Sequence, residues 1–256
     1  MPIDYARRLT GRERTATSNR HLGLALAFVA GATNAGGFLA VQQYTSHMTG
    51  IVSAMADNLV LGVYDLVWSG LGALLSFLAG AACSAAMVNY ARRRRMHSEY
   101  ALPLLVEAFL LLCFGVLGAW LSRIDGLFVP VTVMLLCFIM GLQNAVITKL
   151  SKAEIRTTHI TGIVTDIGIE LGKLCYWNAA GVPQRHRVRA DRNRLRVLCL
   201  LAAFFFCGGV AGALGFKHLG YLSTLPLAAV LIALAIVPAV DDLILVSRRR
   251  AQRQAT

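Results

Sequence analysis

Phe28-Val-Ala-Gly-Ala-Thr-Asn-Ala35 returns later in the chain as Phe138-Ile-Met-Gly-Leu-Gln-Asn-Ala145, and His47-Met-Thr-Gly-Ile-Val52 returns as His159-Ile-Thr-Gly-Ile-Val164. The first pair is offset by 110 residues and the second by 112, so the link between the motifs is two residues longer in the second copy. Either match alone is weak. Two matches in the same order at nearly one offset define an internal repeat.

Each copy of the first motif lies in a long apolar run. Of the 256 residues, 57% are hydrophobic and 15% charged, and the mean hydropathy is +0.61. A soluble domain carries about 25% charge, so the composition points to a membrane protein. A bilayer core about 30 Å thick takes roughly 20 apolar residues as helix. Six stretches satisfy this: Leu22–Val41, Gly70–Tyr90, Leu102–Leu121, Leu127–Thr148, Val197–Phe216 and Leu222–Val246.

The net charge of +12 serves topology. With the N-terminus inside, the basic leader, Arg92–Arg95, the segment Lys149–Arg196 and the tail Arg248–Arg253 all fall inside. Of the 25 Lys and Arg, only Arg123 and Lys217 fall outside, as the positive-inside rule requires. No nucleic-acid partner is needed to explain the charge, although Arg185–Arg196 suits anionic headgroups. A seventh apolar segment, Ile51–Trp68, would reverse Arg92–Arg95 if it crossed. It also carries Asp57, Asn58 and Asp65, which are costly in hydrocarbon. It is expected to dip in and return, or to lie at the outer interface.

Three spans per copy is an odd number, so the second copy enters from the opposite side. The expected fold is an all-α membrane protein of six transmembrane helices. They form two inverted three-helix repeats, each with a short re-entrant or interfacial H-x-T-G helix. The expected divisions are a leader over residues 1–21, a first repeat over 22–124, a second over 125–247 with a basic loop at 179–196, and a tail over 248–256. The basic leader ahead of the first span resembles a signal peptide, but the same small-polar pattern recurs at Gly141–Ala145, far from any cleavage position.

The repeated polar residues are the candidate site. Asn34 and Asn144 must find hydrogen-bond partners inside a span. They either bond between helices, with Gly31 and Gly141 allowing close packing, or mark places where the helix breaks and exposes backbone. Thr49 and Thr161 are placed to cap the H-x-T-G helices, and Gly50 and Gly162 to admit a close neighbour. A re-entrant helix N-terminus suits a small anion or carboxylate, and His47 and His159 titrate near neutrality. Asp57, Asp166 and Glu170 are candidate coupling groups if segments from opposite faces meet near the midplane; otherwise they face water. Glu107 is expected to be partly solvated near the inner face, and Asp241 and Asp242 to be neutralised by Arg248–Arg250.

The six cysteines are scattered through apolar runs with no C-x-x-C and read as packing residues. No metal or cofactor is assigned, and no catalytic motif stands out. Gly208-x-x-x-Gly212 and Gly80-x-x-x-Ser84 suit close helix crossing, within the chain or in a homo-oligomer.

The motif F-x-x-G-x-x-N-A followed by H-x-T-G, with Gly141-Leu-Gln-Asn-Ala145 and Thr157-Thr-His-Ile-Thr-Gly162 in the second copy, resembles the YoaK-like bacterial membrane proteins, a family of unknown function. The resemblance runs from about His21 to Val246. It departs at Asn34, where the family often has Asp, and at Ile51, where it often has Asn. It implies a bacterial inner membrane, with both termini cytoplasmic on the charge reading. The expected activity is transport of a small solute through a site between the repeats. A non-transporting role in assembly, sensing or lipid binding is the alternative. An intramembrane enzyme is disfavoured, because nucleophile, base and orienting group are not visible together.

Overall fold

In lipid every backbone amide must be satisfied within its own segment, so apolar runs of this length fold as helices. The computed structural model describes residues 16–94, 96, 98–121, 128–150, 160–178, 183 and 186–254. Among these, the regular elements are α1 (Ala16–Val41), α2 (Met48–Val60), α3 (Tyr64–Arg93), α4 (Ala101–Leu121), α5 (Phe128–Leu150), α6 (Ile160–Cys175), α7 (Arg192–Leu219), a 3-10 turn (Gly220–Ser223) and α8 (Thr224–Gln254). His159, residues 1–15 and much of the loop at 179–185 lie outside the described residues.

Five stretches of the described residues are long and apolar enough to cross a membrane. Four coincide with α1, α3, α4 and α5. The fifth, Arg192–Asp242, is 51 residues long and passes through α7, the 3-10 turn and α8. As one helix it would exceed 75 Å, on the order of twice a bilayer core. It is interrupted at Gly220, which takes φ +58° as the C-cap of α7.

Residues 51–68 do not form one helix. The chain leaves α2 at Leu61–Val63, where Gly62 takes φ +75° and the Val63 N–H bonds back to the Asn58 carbonyl. With 13 residues, α2 spans about 20 Å, short of a crossing. It folds back onto α3, where the Met55 side chain covers Gly70. On the other side α6, of 16 residues, packs on α7 through Ile163, in a cluster with Leu24, Ala27, Leu198 and Leu201.

Two helix crossings organise the bundle: α1 on α7 and α3 on α5. Both use the sequence F-x-x-G on each partner. A Cβ on Gly31 would strike the Phe205 carbonyl, and one on Gly208 the Phe28 carbonyl. At the other crossing, Gly80 lies against the Phe138 carbonyl and Gly141 against the Phe77 carbonyl. Each glycine therefore rests on the carbonyl three residues before its partner glycine. Backbone approach at this distance brings Cα–H groups onto carbonyl oxygens and maximises dispersion where lipid offers no hydrophobic drive. Gly212, against the Ala32 carbonyl, extends the first crossing by one turn. The G-x-x-x-G pattern is thus consumed within the chain.

The inner core joins Leu22, Leu26 and Val29 of α1, Leu104, Ala108 and Leu111 of α4, Ile139, Leu142 and Val146 of α5, and Leu227, Leu231 and Ala235 of α8. The end near Gly220 is closed by rings. Phe114 stacks on Phe216 at 5.9 Å, and Tyr221 meets both edge-on at 5.6 and 6.2 Å.

Gly31→Val and Gly141→Val should each lower stability by at least about 1–3 kcal/mol, since backbone cannot give way as a side chain does. Gly168→Ala on α6, where an added methyl meets nothing within 4 Å, should be neutral or slightly stabilising. Thermal unfolding midpoints in detergent check all three.

Candidate functional site

The repeat motifs occupy opposite ends of the bundle's long helices, and each asparagine is bound locally. Asn34 Oδ1 accepts the Ser46 hydroxyl at 2.8 Å and the Ser46 N–H at 3.3 Å. This brackets the link from α1 to α2, where Gln42 takes φ +55° and Phe38 stacks on Tyr44 at 4.5 Å. Asn144 is buried and donates through Nδ2 to the Met140 carbonyl one turn back, at 2.9 Å. Neither helix breaks: α1 continues to Val41 and α5 to Leu150. The expectation of unwound backbone at these asparagines is therefore corrected. A helix that keeps its i→i−4 ladder exposes no backbone groups there.

Thr49 does not cap α2. It lies inside the helix and is exposed, while the N-cap is His47, whose side chain makes no capping bond. The His47 imidazole folds over Gly50, filling the space a side chain at residue 50 would need. This explains the spacing of His and Gly in the motif. Thr161 is likewise inside α6 and exposed, its carbonyl accepting the Thr165 hydroxyl at 2.8 Å. Gly162 is half-buried beside it.

The acidic candidates are not brought together at the midplane. Asp57 is exposed on α2. Asp166 pairs with Arg194 of α7 at 3.1 Å. Glu170, 1% exposed, accepts Lys173 Nζ at 2.8 Å and the Asp191 N–H at 2.8 Å. The Asp191 carboxylate in turn caps α7 through the N–H groups of Asn193 and Arg194. These contacts form an ionic clasp holding α6 to the start of α7. The Lys173 hydrogen bond, then the Asp191 N–H, hold the Glu170 carboxyl below its ordinary range against the opposing effect of desolvation.

The interior holds polar groups of a different kind. Thr33 and Gln143, at equivalent positions of the repeat one residue before each asparagine, are both buried. Gln143 Nε2 donates to the Leu26 carbonyl of α1 at 3.3 Å. Its Oε1 and the Thr33 hydroxyl have no hydrogen-bond partner among the described residues, and the same holds for Ser84. Glu107 is 0% exposed, and both of its carboxyl oxygens lack a partner among the described residues. Partial solvation of Glu107 is thus corrected. Ser98 and Tyr100 are buried over the start of α4, and the Asp242 carboxylate of α8 accepts the Ser98 N–H at 3.0 Å, sealing that end. Asp242 thus bonds the link into α4, while the side chains of Arg248–Arg250, its expected partners, lie outside the described residues.

Thr33 and Gln143 were visible in the aligned motif, beside the asparagines that drew attention from them. Glu107 could not be recognised from its distance to the end of its span, because its burial depends on α1, α5 and α8 packing on the face of α4 that carries it.

The Glu170 carboxyl titrates lower in the folded protein than in an open chain. Its contribution to the clasp is complete above the ordinary carboxylate range, about pH 4.3, and lost as pH falls through its lower folded value. Glu170→Gln should reproduce that loss at neutral pH. Trypsin cleavage at the exposed Arg187 and Arg189 should then be several-fold faster than in the parent protein.

A family model described as a protein of unknown function (DUF1275) matches residues 22–237. The UPF0700 transmembrane protein YoaK of Bacillus subtilis (strain 168) is 29% identical over 157 residues, covering 60% of this chain and 68% of YoaK. No solved structure matches. With its apolar helices and a transmembrane relative, this is a multi-pass membrane protein, and it belongs to the DUF1275 family of proteins of unknown function.

Proposed function

We propose that the protein is a small-solute transporter of a bacterial inner membrane, with six crossings arranged as two inverted three-span repeats and both termini cytoplasmic. The break at Gly220 splits the fifth apolar stretch into two crossings, α7 and α8. The inverted reading exchanges α1 with α5, α2 with α6, α3 with α7 and α4 with α8. Three features support it. The exchange converts the α1–α7 crossing into the α5–α3 crossing, both built on F-x-x-G. It converts the packing of α2 on α3 into that of α6 on α7. It also matches Leu102-Pro-Leu104 at the start of α4 with Leu225-Pro-Leu227 at the start of α8, proline being well placed in a first helical turn.

The observation that carries transport is the equivalence of Thr33 and Gln143. Buried hydrogen-bonding atoms left without partners cost free energy, and here, among the described residues, they recur at matching positions of the two repeats. A small polar solute passing between the repeats would satisfy them. In this reading Thr33 and Gln143 contact solute. Asn34, His47, Thr49 and Gly50 shape the outer end, and Asn144, His159, Thr161 and Gly162 the inner end. Asp166 and Glu170 hold the inner end closed through the clasp, and Asp57 remains at the outer surface. Alternation between open ends would be rocking of one repeat against the other.

Purified protein in liposomes should permit entry of at least one of glycerol, acetate and glycine in an osmotic light-scattering assay. Gln143→Leu should reduce that flux at least about tenfold, a loss of roughly 1.4 kcal/mol, without lowering the melting midpoint. Unchanged flux in both Gln143→Leu and Thr33→Val overturns the site. For topology, a single cysteine at position 47 should react with impermeant maleimide from outside, and the exposed Cys175 from inside. Reaction of both from one side overturns the inverted arrangement.

A further inference from the structure

We propose that Glu107 is a reversible proton-binding site in the bundle interior and, resting on the transport reading above, that the proton it carries is the coupling ion. Glu107 is flanked along α4 by Leu104, Ala108 and Leu111, all members of the buried inner cluster, so residue 107 shares their inward face. It lies six residues beyond Ala101, about 9 Å of helix rise into the span. Its carboxyl group is fully buried, and neither oxygen has a hydrogen-bond partner among the described residues. Apart from Tyr100, whose hydroxyl accepts from Arg92 at 3.2 Å, the buried members of the cluster are leucine, isoleucine, valine and alanine, none of which can donate a hydrogen bond.

Among the described side chains, the charged groups on the elements packed against α4 are engaged elsewhere or exposed. On α5, Lys149 Nζ bonds the Ala85 carbonyl and Asn89 at 3.3 and 3.0 Å. On α3, Arg92 is held by Glu99 and Tyr100 at 2.8 and 3.2 Å, and Arg93 and Arg94 are exposed. On α8, Asp242 accepts the Ser98 N–H, and Asp241 also has a partner of its own, while Glu107 makes no hydrogen bond. The 3-10 turn contributes Tyr221, which packs against Phe114 and Phe216 at the end near Gly220.

A carboxylate with no donor and no counter-charge in hydrocarbon is strongly penalised. One proton removes the charge by adding to a single oxygen. A metal cation would require several oxygen ligands around it, and those are absent from the cluster. In this cluster α8 supplies no second carboxylate: its buried members there are Leu227, Ala228, Leu231 and Ala235. Release of the proton requires a state in which water reaches Glu107, and opening of one end of the bundle provides it.

Carbodiimide labelling decides the proton site independently of transport, since dicyclohexylcarbodiimide attacks protonated carboxyl groups in apolar surroundings. In liposomes at neutral pH, mass spectrometry should find the adduct on Glu107 and not on the exposed Asp57. It should fade as pH is raised and be absent in Glu107→Gln. No adduct on Glu107 between about pH 5 and about pH 9 overturns the proposal whatever the flux. Coupling is read from the glycerol, acetate and glycine assay under an imposed proton gradient. The parent protein and Glu107→Asp should respond to the gradient, whereas Glu107→Gln should keep its melting midpoint and lose the response. A retained response overturns the coupling role. If Glu107 labels and titrates while no solute moves in the parent protein, the proton site stands and the transport reading falls.

Discussion

Two helices in lipid gain nothing from withdrawing apolar side chains from their surroundings, because the surroundings are equally apolar. What remains is contact distance. The bundle depends on four glycines, Gly31, Gly80, Gly141 and Gly208, each of which lets a carbonyl oxygen of a neighbouring helix occupy the place of a side chain. Dispersion and Cα–H···O contacts grow with that proximity. A larger residue at any of the four separates two backbones and with them the interior they enclose.

The two ends of the bundle are closed by different forces. At one, the rings of Phe114, Phe216 and Tyr221 join α4, α7 and the 3-10 turn. At the other, Glu170, Lys173, Asp191, Arg194 and Asp166 form an ionic clasp between α6 and α7. An aromatic contact tolerates changes in pH and salt. The ion pairs, partly exposed, weaken with both. The clasped end is therefore the one whose closure responds to conditions in the adjoining water.

Much of this was legible in the residues themselves. Hydropathy located the long apolar helices. The first apolar run begins at Leu22, yet the chain is already helical at Ala16, and Ser18, ahead of that run, is buried although its hydropathy is low. The charge distribution kept residues 51–68 from being one span, and α2 followed by Gly62 accounts for it. The chemistry of the motifs was less legible. A threonine after a histidine suggested a cap, but capping depends on which residue leaves helical geometry, and that residue was His47. Asparagine is more polar than threonine and was the natural site candidate, yet Asn34 and Asn144 are satisfied within reach of their own helices. Glu107 required tertiary knowledge: its full burial follows from helices far apart in sequence, α1, α5 and α8, packing with Leu104, Ala108 and Leu111 of α4.

The F-x-x-G crossings pair early segments with late ones. The principal partner of α1 is α7, and that of α3 is α5, so the first three long helices reach the membrane before the surfaces they will bind have been synthesised. Until then the glycine face of α1 has only acyl chains against it. It tolerates this, because Ala27, Gly31 and Ala32 present almost nothing polar. The chain is consequently assembled as an interlock, in which the last helices delivered close contacts that the first have held open throughout biogenesis.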